Sequence, residues 1–138
     1  MKESSCTFEL EYNEFTLKMW NNKFKLLYTV KLLDNELQVE LEVVNEDDSN
    51  FEFTSLFHTY FNIGAIESVK IEGLGNLKYS DKLKNNEIFE EYRNVIDRIS
   101  EEVDRNYFKV PGLVKLSSSN GNFELKSNFE DLGIFNFQ

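Results

Sequence analysis

Apolar and polar residues alternate with a period of two through the first third of the chain. In CTFELEYN (6–13) the apolar positions are Phe8, Leu10 and Tyr12. In EFTLKMW (14–20) they are Phe15, Leu17 and Met19, with Asn13 and Glu14 as a short turn between the two runs. KFKLLYTVKLL (23–33) sets Phe24, Leu26, Tyr28, Val30 and Leu32 in phase, and a tight turn follows at Asp34 and Asn35. ELQVELEVVN (36–45) continues with Leu37, Val39, Leu41 and Val43, while Glu36, Gln38, Glu40 and Glu42 take the other side. Successive strand side chains point to opposite faces, so this pattern predicts antiparallel strands with one face in a core and one in water. A polar cluster, Glu46 to Asn50, predicts a turn, and FEFTSLFHTYFNI (51–63) is the longest strand-like run.

Further along, SVKIEGL (68–74) reads as a short strand broken by Gly73 and Gly75. Ile88, Tyr92, Val95, Ile96, Ile99 and Val103 fall at helical spacing, so the pattern alone predicts a helix over 88–103. After Pro111 and Gly112, GLVKLSSSNGNFELKSNF reads as a hairpin with Asn120 and Gly121 at its tip, and GIFNFQ closes the chain on a strand pattern. Many short strands separated by turns predict an all-β fold, an antiparallel β-sandwich, built as a single domain over 1–138. No internal repeat interrupts this reading.

Composition narrows the partners. The 138 residues carry 15 Lys and Arg against 25 Asp and Glu, a net charge of -10. Phosphate backbones are bound by clustered cations, so nucleic acid is excluded, and an anionic membrane surface is disfavoured. No window approaches the run of about 18 apolar residues that spans a bilayer. MKESSCTFEL lacks the apolar core of a secretory signal, and Cys6 has no second cysteine to pair with. A cytoplasmic, reducing location is therefore expected. The alternating glutamates read as the solvated face of a sheet.

Few residues offer chemistry. Cys6 and His58 are too far apart in sequence to suggest zinc, EGLGNLK lacks the third glycine of a dinucleotide fingerprint, and the acidic run 46–48 lacks the ligands of a calcium loop. SSSNG is a turn with no histidine beside it. No metal or organic cofactor is expected. His58, the single histidine, remains. Alternation sets Leu56, His58 and Tyr60 on one side of their run and Phe57, Thr59 and Phe61 on the other, and Phe51 and Phe53 are in phase with the second side. That side is the better core candidate, and His58 faces away from it. On spacing alone a lone histidine is more often structural than catalytic.

A longer comparison changes that balance. The run FEFTSLFHTYFNIGAIESVKIEGLGNLKYSDKL resembles the central signature of the hexose-6-phosphate mutarotases, or glucose-6-phosphate 1-epimerases. In that family an aromatic-rich strand enters His-Thr-Tyr-Phe, followed by a Gly-Leu strand and a Tyr-x-Asp-Lys segment. SEEVDRNY (100–107) resembles the family's Glu-Val-Asp-Arg-x-Tyr motif. MWNNKFKLLYTVKL resembles the preceding strand pair. GIFNF resembles Val-Trp-Asn-Pro, with Phe135 for Trp, Asn136 retained and Phe137 for Pro. The resemblance implies the galactose mutarotase-like supersandwich, of which this chain matches the central part. For 88–103 it implies loop, a short strand, and then the strand carrying Val-Asp-Arg, against the helix that spacing suggests. We carry the strand reading forward.

The resemblance also implies a reaction. Mutarotation opens a cyclic hemiacetal and recloses it on the other face. One group protonates the ring oxygen while another takes the proton of the anomeric hydroxyl. An imidazole, with an ordinary pKa of about 6.5, suits the first role. His58 aligns with the family's general acid and Asp104 with the aspartate that orients the sugar. Read without the family, Asp104 pairs with Arg105 or caps a turn. The family's glutamate base, its second histidine and its phosphate-holding arginines have no matching position here. Two functions are thus expected: interconversion of hexose 6-phosphate anomers, or a catalytically inactive β-sandwich remnant that binds carbohydrate or a protein partner. The expected ligand is a hexose phosphate or another hexose, and exposed sheet edges would favour self-association.

Overall fold

The computed structural model describes residues 3–136, and the chain forms two compact units, Met1–Phe57 and His58–Gln138. Phe137, aligned with the family proline, lies outside the described residues. Among those residues no helix is long and apolar enough to cross a membrane.

The first unit is an antiparallel meander of β1 (Ser4–Glu11), β2 (Phe24–Leu32) and β3 (Leu37–Asn45), in the order β1-β2-β3. Its register puts Phe8 opposite Tyr28 and Tyr28 opposite Leu41, and Leu10 opposite Leu26 and Leu26 opposite Val43. The alternation sorts into one apolar and one polar face, but the apolar face is not buried in a core as expected: Phe8 is 60% and Leu37 63% exposed. On the polar face the hydroxyls of Thr7 and Thr29 bond at 2.9 Å, and Lys25 Nζ meets Glu11 Oε1 at 2.8 Å.

The run 14–20 is not a strand. Glu14–Met19 forms a short helix, α1. Asn13 Oδ1 accepts the N–H groups of Phe15 and Thr16 at 2.9 and 3.1 Å, and Thr16 Oγ1 accepts that of Asn13 at 2.8 Å. This reciprocal cap satisfies donors that a helix start otherwise leaves orphaned, and it outweighs three in-phase apolar residues. Trp20, just past the helix, packs its ring on Phe24 and Phe51.

The run 51–63 also departs from expectation. It pairs with no strand among the described residues. Its alternation still sorts side chains. Phe57 lies half-buried against Tyr28 and Phe61 half-buried against Phe123, whereas Leu56, His58 and Tyr60 are exposed. Phe53, in phase with Phe57, is exposed as well. Period-two patterning reports which way side chains point; a ladder additionally needs a neighbouring strand.

The second unit is a small sandwich. One sheet runs β10-β9-β4-β7, from β4 (Lys70–Glu72), β7 (Val95–Ile96), β9 (Leu113–Ser118) and β10 (Gly121–Lys126). The other runs β11-β8-β5-β6, from β5 (Lys78–Asp81), β6 (Glu87–Glu90), β8 (Val103–Tyr107) and β11 (Leu132–Asn136). Ile71, Ile96 and Val114 of the first sheet share one core with Tyr79, Val103 and Tyr107 of the second, joined by Val69, Leu74 and Ile99.

No helix forms over 88–103: β7 and the start of β8 are the short strand and the Val-Asp-Arg strand that the resemblance implies, while β6 stands where it implies loop. The reason is burial. Ile96, Ile99 and Val103 enter the core, but Ile88 is 57% and Tyr92 79% exposed, so the helically spaced residues share no face. The hairpin tip also shifts by one residue. Ser118 pairs with Gly121, leaving Ser119 and Asn120 as the loop.

Candidate functional site

Strand β8 carries two different surfaces. Val103, Arg105 and Tyr107 point inward, and Asp104 and Asn106 point to the opposite side of the sheet. Cross-strand partners share a face, so the register extends that outer surface to Ser80 on β5 and to Gly133 and Phe135 on β11.

Asp104 stands directly opposite Phe135 in the β8–β11 ladder. The Phe135 ring in turn meets His58, with centroids 5.4 Å apart, and Tyr60 at 5.7 Å in a near-perpendicular arrangement. Both site candidates therefore flank one aromatic side chain. The chain reaches this position because the end of its 51–63 run is tied to the β9–β10 hairpin. Ser119 Oγ donates to the Ile63 carbonyl at 3.3 Å, and Asn120 Nδ2 donates to Asn62 Oδ1 at 2.9 Å. Gly64 makes the turn with φ +69°, where an added Cβ would sit 2.5 Å from Ser119 Oγ. At the far end of β11, Asn136 Oδ1 accepts the Val103 N–H at 2.7 Å and holds the Phe135–Asp104 register.

Asp104 does not pair with its neighbour Arg105. Its Oδ1 lies 3.3 Å from Lys82 Nζ. Arg105 crosses to the inner side, where its Nε donates to Asp81 Oδ2 at 3.4 Å and its guanidinium lies over the Tyr79 ring at 4.9 Å.

The inner side holds a buried polar network. Arg93 donates from Nε and Nη2 to the two oxygens of Glu91, each at 2.8 Å, and Tyr107 donates its hydroxyl to Glu91 Oε2 at 3.1 Å. Burial works against the Glu91 carboxylate, but the Arg93 hydrogen bonds outweigh it and hold the pKa below the ordinary value. Burial, followed by the neighbouring Glu91 charge, pushes the Tyr107 hydroxyl well above its usual range. A cavity of about 280 Å³ opens beside this network, lined by Arg93, Arg98, Arg105, Ile96, Ile99 and Tyr107 among others. It is on the inner side of β8, away from Asp104. Arg93 and Arg105 are already matched by Glu91 and Asp81, so the network reads as structural.

The outer surface thus combines an imidazole, a carboxylate, an ammonium and exposed aromatic faces. Such a set can stack on the C–H face of a sugar ring, bond its hydroxyls and exchange protons. Among the described residues no three His, Cys, Asp or Glu side chains come together as a metal-ligand set. Phe135 and Lys82 gained no site role from the sequence. Phe135 stood in the Val-Trp-Asn-Pro resemblance and Lys82 in the Tyr-x-Asp-Lys segment, but only register brings both beside Asp104.

Comparison with known proteins agrees with this architecture. A family model described as aldose 1-epimerase matches residues 1–130. A Salmonella typhimurium protein named "Putative glucose-6-phosphate 1-epimerase" is 40% identical over 79 residues, which are 57% of this chain and 25% of the relative. A Cenchrus ciliaris protein of the same name is 33% identical over 106 residues, 75% of this chain and 32% of the relative. One from Escherichia coli is 38% identical over 81 residues, 59% of this chain and 26% of the relative. The chain therefore spans about a quarter to a third of the length of these curated relatives. The crystal structure of "a putative mutarotase" from Salmonella typhimurium superposes with a TM-score of 0.84 at 26% identity, covering 96% of this chain and 43% of that one. The all-β antiparallel architecture is that of the mutarotase fold.

Proposed function

Because the chain belongs to the aldose 1-epimerase family, we propose that the outer surface of the β8–β11 sheet binds a hexose 6-phosphate and serves the interconversion of its α and β anomers. The observation that carries this reading is Phe135, which is at once the ladder partner of Asp104 and the ring neighbour of His58. The names of the relatives support a glucose 6-phosphate substrate.

In this reading His58 gives a proton to the ring oxygen as the bond from that oxygen to the anomeric carbon breaks. The anomeric hydroxyl loses its proton to solvent water, and the open aldehyde forms. Rotation about the adjoining carbon–carbon bond and reclosure on the other carbonyl face return the protons and yield the other anomer. Asp104 accepts a sugar hydroxyl and orients the ring, with Asn106 and Ser80 as further polar groups on the same surface.

A second reading, binding without turnover, is favoured by the Lys82 contact. It commits Asp104 Oδ1 to an ammonium and suits that carboxylate to orientation over proton abstraction. Exchange spectroscopy on the glucose 6-phosphate anomers separates the two. Catalysed exchange by the wild-type chain, reduced about 100-fold in His58→Ala, is the expected result for a general acid. Undiminished exchange in His58→Ala would remove the acid role. Binding without exchange would leave only the second reading.

A further inference from the structure

Two adjacent residue pairs lock β5 to β8 from opposite sides of one sheet. On the inner side Arg105 holds Asp81, and on the outer side the next residue, Lys82, holds Asp104, the residue before Arg105. Asp81 also organises the turn that follows it. Its Oδ1 accepts the Leu83 N–H at 3.1 Å, its carbonyl accepts the Asn86 N–H at 2.9 Å, and Asn85 closes the turn at φ 54°. Lys82 is therefore delivered to the outer surface by a turn pinned at both ends.

An ammonium has three donors. Asp104 engages one, and the Lys82 side chain is 60% exposed, so donors beside Asp104 remain open to solvent. A sugar phosphate carries close to two negative charges at neutral pH and here meets a carboxylate on a chain of net charge -10. A neutral hexose meets no such repulsion. Two other cations are directed elsewhere: Arg105 points inward to Asp81, and Lys84 lies over Phe89.

We propose that Lys82 is the specificity-determining residue for an anionic substituent on the sugar, offsetting the charge of Asp104 and donating to the phosphate. The inference rests on the reading of the His58–Phe135–Asp104 surface as the sugar site.

Ligand-observed NMR titrations of glucose 6-phosphate and glucose, on the wild-type chain, Lys82→Met and Lys82→Arg, test it. Lys82→Met should weaken glucose 6-phosphate by about tenfold or more, the scale of one charge-assisted hydrogen bond, and change glucose by less than about twofold. Lys82→Arg, which keeps the charge, should retain most of the phosphate affinity. Equal losses for both sugars would reduce Lys82 to a support for Asp104 and overturn the proposal, as would no loss at all. A wild-type chain that binds glucose with no preference for the phosphate ester overturns the proposal and leaves the sugar site standing. A chain that binds neither sugar overturns both.

Discussion

At the scale of single residues, the second unit separates its polar groups by side. Glu91, 3% exposed, is matched by Arg93 and Tyr107 and belongs to the packing of the sandwich. Removing a partner from a buried carboxylate leaves an uncompensated charge, so Arg93→Met should cost about 2 kcal/mol, read from the urea midpoint. Two of the shifted groups, Glu91 and Tyr107, share this network and contribute to the pH dependence of stability. Glu91 has a folded pKa below its ordinary value of 4.5, so its contribution is full above that value and is lost as pH falls through the lower, folded one. Tyr107 has a folded pKa above its ordinary value of 10.0, so its contribution is full below pH 10 and is lost as pH rises further. Stability measured from acid to alkaline pH should fall at both ends, and Tyr107→Phe should reduce the alkaline loss, part of which remains with Tyr79, whose hydroxyl burial also pushes up. His58 and Asp104 were legible in the sequence only through the motifs around them. Lys82 was not, because its place depends on a turn organised by Asp81 and on the register of β5 against β8.

At the scale of elements, the sequence reported the facing of side chains better than the partners of strands. β1, β2 and β3 appear where Phe8, Tyr28 and Leu41 alternate with polar neighbours. The same signal in 14–20 meets an Asn13 cap and becomes a helix, and in 51–63 it meets no neighbouring strand. Over 88–103 the helical spacing arises because Ile96, Ile99 and Val103 are core residues drawn from separate extended segments. Gly64 makes the turn that ends the 51–63 run against the β9–β10 hairpin. With φ +69° and an added Cβ 2.5 Å from Ser119 Oγ, Gly64→Ala should lower stability by about 1 kcal/mol or more. It should also weaken sugar binding, because the turn holds the end of the run that carries His58 and Tyr60. Titration calorimetry beside a urea melt checks both effects, and unchanged affinity would show that the turn does not set the imidazole.

At the scale of the whole molecule, the two units differ in how much they bury. Among the described residues the one buried apolar side chain of the first unit is Phe24, while the second unit carries a continuous core from Val69 to Val114. Two packed antiparallel sheets form in His58–Gln138, and every residue proposed to touch the sugar belongs to that unit. Because the chain has a single histidine, the proposed sugar surface can be read without ambiguity. Titrating the labelled wild-type chain with glucose 6-phosphate and following the His58 ring and the Phe135 and Asp104 amides is the most direct test. The proposed site predicts that these signals move together along one saturable curve while Arg98 and Ile99, at the inner cavity, stay in place. Shifts confined to Arg98 and Ile99, with the His58 ring unmoved, would contradict it.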